Sequence, residues 1–594
     1  MRQFFKFTFA SMVGFLLASI VSVILMVIFF TAVISFSSKE TVTVKENSVL
    51  YLTLNHPVVD RKPNSPFSDF DFGAMKSLKT MGLNEITDML ERAGEDDRIS
   101  GIYLEVSQCP FGLATTEEIR EALLSFKKTG KFIIAYGDVI SQKGYYLASV
   151  ADKLYLNPVG LIDFKGISGQ VAFIKGLSEK LKVEYQVFRP ANNEYKSAVE
   201  PLIMDRMSEA NKSQMGKMVN SLWSIITKNI EHDRGISVQN LNLAADSLMG
   251  FRASSALSAG LTDALIYKDQ VIDTLKSLLH HDAKEKMNTI TLAEYSRASL
   301  PKKKLEKSIG KDRIAVIYAS GSIVIGDDEE RVISSDNISK AIRKAREDKN
   351  IKAVVLRINS GGGDGLASEI IWREVKLCND VKPVVVSMGD YAASGGYYIA
   401  CPATKIVAQP NTLTGSIGVF GVVPNMQGLF NDHLGITFDE VNTNENTGFG
   451  NITRPMEPFE HRKIEMLVEG FYQTFIQRVA DGRDMEIAAV DAIGQGRVWT
   501  GIDALELGLV DTLGGLQTAV NIAAREAGIK NYRIYELPLR KDPFLKLMEG
   551  ISGEASSNAV RNELGPYYRY FEALKEIRGL QGIQARMPFF IYLN

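Results

Sequence analysis

GDVISQKGYYLASVADKLYLNP, residues 137–158, and GDYAASGGYYIACPATKIVAQP, residues 389–410, are two copies of one unit. They align without a gap at an offset of 252 and are identical at nine of 22 positions. These are Gly137/Gly389, Asp138/Asp390, Gly144/Gly396, Tyr145/Tyr397, Tyr146/Tyr398, Ala148/Ala400, Ala151/Ala403, Lys153/Lys405 and Pro158/Pro410. Chance alone gives about one or two. The same offset carries ISGIYLEVS (99–107) onto IKAVVLRIN (351–359), and AGLTD (259–263) meets LGLVD (507–511) at an offset of 248. The chain is a tandem duplication.

Working outward from the second copy, Arg313–Ala319, Lys352–Ile358 and Val384–Met388 are strand-like β-branched runs. Between them, Asn337–Glu347 and Leu366–Cys378 carry apolar residues at helical spacing. Alternating βαβ units predict an α/β fold with a parallel sheet, helical cover and right-handed crossovers in each half. Each half also has a long helical region, Asp205–Glu231 and Glu460–Asp481, and the Lys-rich, polar stretch 282–312 reads as a linker. The expected organisation is an N-terminal stub and anchor (1–45), a first repeat (46–281), the linker (282–312), a second repeat (313–540) and a C-terminal helical or assembly segment (541–594).

At 594 residues the chain is too long for one hydrophobic core. A net charge of −2 gives no basic excess, so nucleic acid is not an expected partner. Three scattered cysteines, Cys109, Cys378 and Cys401, form no disulfide framework, and the six histidines include no HExxH. No metal and no cofactor is expected. From Phe7 to Phe36, 30 residues carry no charge, enough helix to span a hydrocarbon core of about 30 Å. The apolar region of a cleavable signal peptide is only about 7–15 residues. Arg2 and Lys6 precede the stretch, and positive flanks stay cytoplasmic. The reading is an uncleaved signal anchor with everything after about Ser37 on the far side of the membrane.

Chemistry concentrates where the strand Val384–Met388 gives way to Gly389-Asp390-Tyr391-Ala392-Ala393-Ser394-Gly395-Gly396. Ser394 falls at a predicted helix N-terminus, where unpaired N–H groups favour developing negative charge. It is either a helix cap or an exposed nucleophile. After the strand Lys352–Ile358 comes Asn359-Ser360-Gly361-Gly362-Gly363-Asp364-Gly365, which lacks the Lys-Ser/Thr of a nucleotide-binding P-loop. Its N–H groups beside a nucleophilic serine suit an oxyanion hole, with the N–H of Gly395 as the other donor.

Together, Asn359–Gly363, Ala392-Ala393-Ser394-Gly395-Gly396-Tyr397-Tyr398 and Thr414-Gly415-Ser416-Ile417-Gly418-Val419 resemble the signal peptide peptidase A family in its long, two-repeat form. The resemblance takes in the anchor, the duplication and the closing Ala585-Arg586-Met587-Pro588. It implies tandem ClpP/crotonase-like domains, a Ser-Lys dyad and cleavage of remnant signal peptides. It also implies assembly into a homotetramer at the inner membrane, with the catalytic domains on the periplasmic side. The family usually has Ser-Pro-Gly-Gly where this chain has Ser360-Gly361-Gly362-Gly363, which leaves the second oxyanion donor open between Gly362 and Gly363. The resemblance assigns the base to Lys196, within Tyr195-Lys196-Ser197-Ala198-Val199-Glu200-Pro201.

The repeat supplies an independent check. Opposite Ser394 the first copy has Gln142, and opposite Gly395 it has Lys143; aligning Val187 with Val441 puts Lys196 opposite Gly450. One half holds a lysine without a serine and the other a serine without a lysine. An ordinary lysine, with a pKa of about 10.4, is protonated at neutral pH, so the base has to be buried to act. Ser416 and Ser197 are candidates to orient the amine. Peptide substrates and membrane lipid are the expected partners. Two rival readings are an inactive membrane scaffold of the same fold and an acyl-CoA enzyme; a site outside the cytoplasm argues against the latter, because CoA is cytoplasmic.

Overall fold

Uninterrupted aliphatic runs make strands that are buried on both faces, as a parallel sheet covered by helices requires. The computed structural model, which describes residues 2–37, 42–62, 70–71, 76–77, 80–282, 286–298, 311–326, 332–539 and 583–587, contains such a sheet in each half. In the first, Ser48–Thr53, Ile99–Glu105, Phe132–Ile140 and Lys153–Ile162 run parallel, with Ala264–Leu265 and Thr289–Thr291 at the two edges. In the second, Arg313–Ser320, Ile351–Ser360 and Val384–Ala393 are the parallel centre. The last of these pairs with both Lys405–Ala408 and Leu413–Gly415. The duplication is visible element by element: the helices Leu113–Lys127 and Gly365–Asn379 start and stop at the same repeat positions. The long helices are Glu209–Arg234 and Pro458–Arg483.

Two expectations change. The stretch 282–312 is not all linker, because Thr289–Thr291 adds an edge strand and Leu292–Tyr295 a helical turn. The alternation Thr-Ile-Thr buries Ile290 and exposes its neighbours, the signature of a half-covered strand. Most of 541–594 lies outside the described residues, including the apolar Phe589–Leu593, and its described part, Ile583–Arg586, is a strand. At the N-terminus a helix runs Arg2–Ser37, with Phe7, Phe9 and Leu16 exposed; its side chains beyond Ile24 lie outside the described residues. Among the described residues no helix is long and apolar enough to cross a membrane.

The halves are interlocked. Ala393, Leu413 and Val498 of the second half are buried in the same cluster as Leu113, Phe111 and Met215 of the first. Fully buried Arg357 donates from Nε to Asp60 at 2.8 Å and faces Glu118 at 2.6 Å, both carboxylates belonging to the first half. Thr115 donates from its N–H and hydroxyl to Asp390 at 3.0 and 2.8 Å. A third sheet is built by both halves. Its order is Val332–Ser334, Ser322–Val324, Gly362–Asp364, Ile583–Arg586, Phe420–Asn425 and Glu184–Phe188. The last strand comes from the first repeat and pairs antiparallel with Phe420–Asn425 of the second.

Candidate active site

The strand Val384–Ala393 continues five residues past the run seen in the sequence, and the helix Gly395–Ala400 starts two residues after it ends. Ser394 is the hinge between them, at φ 56 and ψ −115. That backbone is costly for a residue with a Cβ, on the order of 1–3 kcal/mol. It is held by Ser394 N–H donating to Gly415 O at 2.8 Å and by Tyr398 N–H donating to Ser394 O at 2.8 Å. A strained strand-to-helix turn of this kind thrusts the side chain out of the sheet. Ser394 sits at the N-cap position but its hydroxyl caps nothing. Its Oγ lies instead 2.8 Å from Lys196 Nζ.

Lys196 reaches that point because Glu184–Phe188 has crossed into the second half's sheet, leaving eight residues of chain to turn back over the serine. The loop is pinned on second-half backbone. Asn193 donates from Nδ2 to Val419 O at 2.9 Å, and Tyr195 N–H donates to Gln495 O at 3.1 Å. The Arg497 guanidinium lies 3.9 Å from the centre of the Tyr195 ring. Besides Ser394, the amine bonds Ser416 Oγ at 2.9 Å and Ser416 O at 3.0 Å. Lys196, Ser394 and Ser416 all have 0 % exposure. Burial without a charge partner pushes the Lys196 amine well below its ordinary value. Ser416, also at positive φ (48), is set by its N–H donating to Arg497 O at 2.6 Å. Of the two serines expected near the amine, only Ser416 is there. The Ser197 hydroxyl is buried and has no hydrogen-bond partner among the described residues.

The glycine loop lies directly against the start of the helix Gly395–Ala400. A Cβ on Gly362 (φ 97) would sit 2.8 Å from Gly395 N and 2.0 Å from Ala585 O, so only glycine fits. The two candidate donors face different partners. Gly362 N–H already donates to Ser360 Oγ at 3.1 Å. Met587 N–H donates to Gly361 O at 2.6 Å, and Gly363 pairs with Ala585 two residues along the same antiparallel ladder. Antiparallel pairs alternate with a period of two, so the Gly363 N–H likewise has a partner, the Ala585 carbonyl, which lies beside Gly395.

The first copy has lost this arrangement. Gln142, opposite Ser394, accepts from Lys165 N and Gly166 N at 3.0 and 2.9 Å, a purely architectural use of the position. Lys143, opposite Gly395, donates to Phe111 O at 2.7 Å. Gly450, opposite Lys196, lies exposed in the second half. Sequence reasoning missed Asn193, Tyr195 and Arg497 as the clamps on the lysine loop. The one available signal is Gly494-Gln495-Gly496, a turn signature whose tertiary partner the sequence does not disclose.

The sequence profile of peptidase family S49 matches residues 125–282 and 376–530, just over half of the chain and a segment of each repeat. The chloroplastic serine protease SPPA of Arabidopsis thaliana is 33% identical over 92% of this chain and 78% of its own length. Protease 4 of Salmonella typhi is 37% identical over 78% of this chain and 75% of its own. Among solved structures, a ClpP1 variant from Listeria monocytogenes covers 37% of this chain and 97% of its own at 14% identity, with a TM-score of 0.24.

Proposed function

The chain belongs to peptidase family S49 and is a serine endopeptidase with a duplicated α/β fold, and from that premise we propose that Ser394 is its nucleophile and Lys196 its general base. The observation that carries the assignment is the 2.8 Å contact between Lys196 Nζ and Ser394 Oγ in a fully buried site. A neutral amine takes the hydroxyl proton as Oγ attacks the peptide carbonyl. The N–H groups of Gly395 and Gly363 hold the oxyanion, where water exclusion strengthens their effect. The protonated amine then gives its proton to the leaving nitrogen, and water releases the acyl-enzyme by the same route. Ser416 orients the amine through its hydroxyl and carbonyl oxygens, which restricts the lone pair to the serine side.

The proposed substrates are remnant signal peptides and other short or unfolded hydrophobic peptides. The uncharged run 7–36 anchors the enzyme in the inner membrane and places both repeats on the periplasmic side, where such peptides remain after secretion. Assembly into a homotetramer is part of the proposal. The test is hydrolysis of casein and of a synthetic signal peptide, together with fluorophosphonate labelling, for wild type, Ser394→Ala and Lys196→Ala. Each substitution is expected to abolish turnover with folding intact. Turnover retained in Lys196→Ala would require another base, and an unlabelled, inactive wild type would restore the scaffold reading.

A further inference from the structure

Lys196 lies on a loop, one residue before the 3₁₀ turn that Ser197 opens, so its amine is placed by whatever holds that loop. One short segment of the second repeat, Asp491–Arg497, grips the loop on both sides of the lysine. Upstream, Asn192 donates from Nδ2 to both carboxylate oxygens of Asp491 at 2.8 Å. Asp491 also accepts from the hydroxyl of fully buried Tyr472, and that hydroxyl accepts from Gln495 N–H at 3.3 Å. Next to the lysine, Tyr195 N–H donates to Gln495 O, and the Arg497 guanidinium covers the Tyr195 ring. A Cβ on Gly496 (φ 83) would lie 2.6 Å from Lys196 Cβ, so the segment and the lysine are in direct contact. The same segment sets the amine's other neighbour. Gly496 N–H donates to Ile417 O at 2.8 Å, and Arg497 O accepts from Ser416 N–H.

We propose that Arg497 is a positioning residue for the base, locking Tyr195 so that Lys196 and Ser416 are held in one frame. The inference rests on the dyad assignment above. Arg497 touches neither reacting group: its main chain fixes Ser416, and its side chain fixes the residue next to Lys196. A planar guanidinium stacks on an aromatic face while its N–H groups bond in the plane. Arg497 uses Nη1 in this way, donating to Ala492 O and so tying the stack to its own turn. Charge is not the means. The titratable groups facing the loop, Asp491, Tyr472 and Arg497, reach Asn192, Gln495 N–H and Tyr195 in turn, and burial alone depresses the amine's basicity. Loosening Tyr195 therefore acts by geometry and water: it misplaces the amine and, by hydrating it, raises its pKa toward the ordinary value.

Arg497→Met in the full chain tests this, because it keeps the aliphatic stem and the main-chain bond to Ser416 while removing the stack. In a variant whose melting temperature matches wild type, hydrolysis of an internally quenched hydrophobic peptide is expected to show kcat lowered about tenfold with KM unchanged. The acid limb of kcat/KM against pH should move up by about one unit, so that activity lost at neutral pH is partly regained in alkaline buffer. Unchanged kinetics overturn the proposal. So does a lower kcat with the limb unmoved, the result that a purely structural support would give. Should Arg497→Met not fold, Tyr195 carries the test. Tyr195→Ala is expected to move the limb in the same direction, and Tyr195→Phe, which keeps the ring face, to restore it. Equal limbs in the two Tyr195 variants refute the stack as the positioning contact. The dyad assignment fails separately, if wild-type hydrolysis is absent or survives in Ser394→Ala.

Discussion

Replacing Lys196 by Met gives a prediction in which function and stability part company. In the folded protein burial depresses the amine's pKa, whereas in the unfolded chain it returns to about 10.4. Between those two values the unfolded state binds one more proton than the native state, so stability rises with pH at about 1.36 kcal/mol per unit. For the amine to be a base at neutral pH, its folded pKa must lie at or below that pH, so the window extends from there up to about 10.4. Methionine fills a similar volume and does not titrate. The stability of wild type relative to Lys196→Met should therefore improve by about 2 kcal/mol between pH 7.5 and 9.0, other groups cancelling in the comparison. The three hydrogen bonds of Nζ, to Ser394 Oγ, Ser416 O and Ser416 Oγ, offset the comparison by a constant and do not alter its slope. Urea unfolding of both proteins at the two pH values measures it. Parallel pH dependences would mean that Lys196 is protonated in the native state, and the base assignment would fall with them.

Two further substitutions probe the supports of the site. In Gly363→Ala the new methyl meets Ile323 O at 2.1 Å, so the two strands must part; a loss of about 1–3 kcal/mol and at least a hundredfold in kcat are expected, whereas Gly361→Ala, whose nearest neighbour is 3.6 Å away, should behave as wild type in urea titration and peptide hydrolysis. Glu118→Ala removes a buried partner of Arg357 and the acceptor of Leu516 N–H; breaking such a pair costs about 3–5 kcal/mol, and peptidase activity is expected to fall at the same urea concentration as the near-ultraviolet circular dichroism.

Much of this was legible in the sequence, for physical reasons that can be named. Strands such as Ile351–Ser360 are buried on both faces and announce themselves as aliphatic runs, and a duplication lets each half check the other. The resemblance assigned Lys196 and the repeat comparison agreed, since one copy has a lysine without a serine and the other a serine without a lysine; the structure brings the two side chains together across 198 residues. Other features depend on direction, which composition does not carry. What the N–H groups of Gly362 and Gly363 face depends on ladder parity, fixed by a partner strand more than 200 residues away. Ser416 and Ser197 were equal candidates in sequence. Pairing of Leu413–Gly415 with Tyr391–Ala393 carries Ser416 to the amine, while the 3₁₀ turn beginning at Ser197 carries its hydroxyl elsewhere.

The short strand Glu184–Phe188 explains how the proposed base and nucleophile meet although they lie in different copies. A lysine on its own half's sheet would remain on its own half's surface, in water and protonated. By pairing with Phe420–Asn425, the first copy commits backbone hydrogen bonds to the second, and the loop that follows brings Lys196 to Ser394. The buried contacts of Arg357 with Asp60 and Glu118 hold the two sheets in register for that crossing. Burial of Lys196, and hence the depressed basicity of its amine, is thus a property of the docked pair of repeats and of neither alone. Partial unfolding that separates the halves should return the amine to water and protonate it before either sheet is lost.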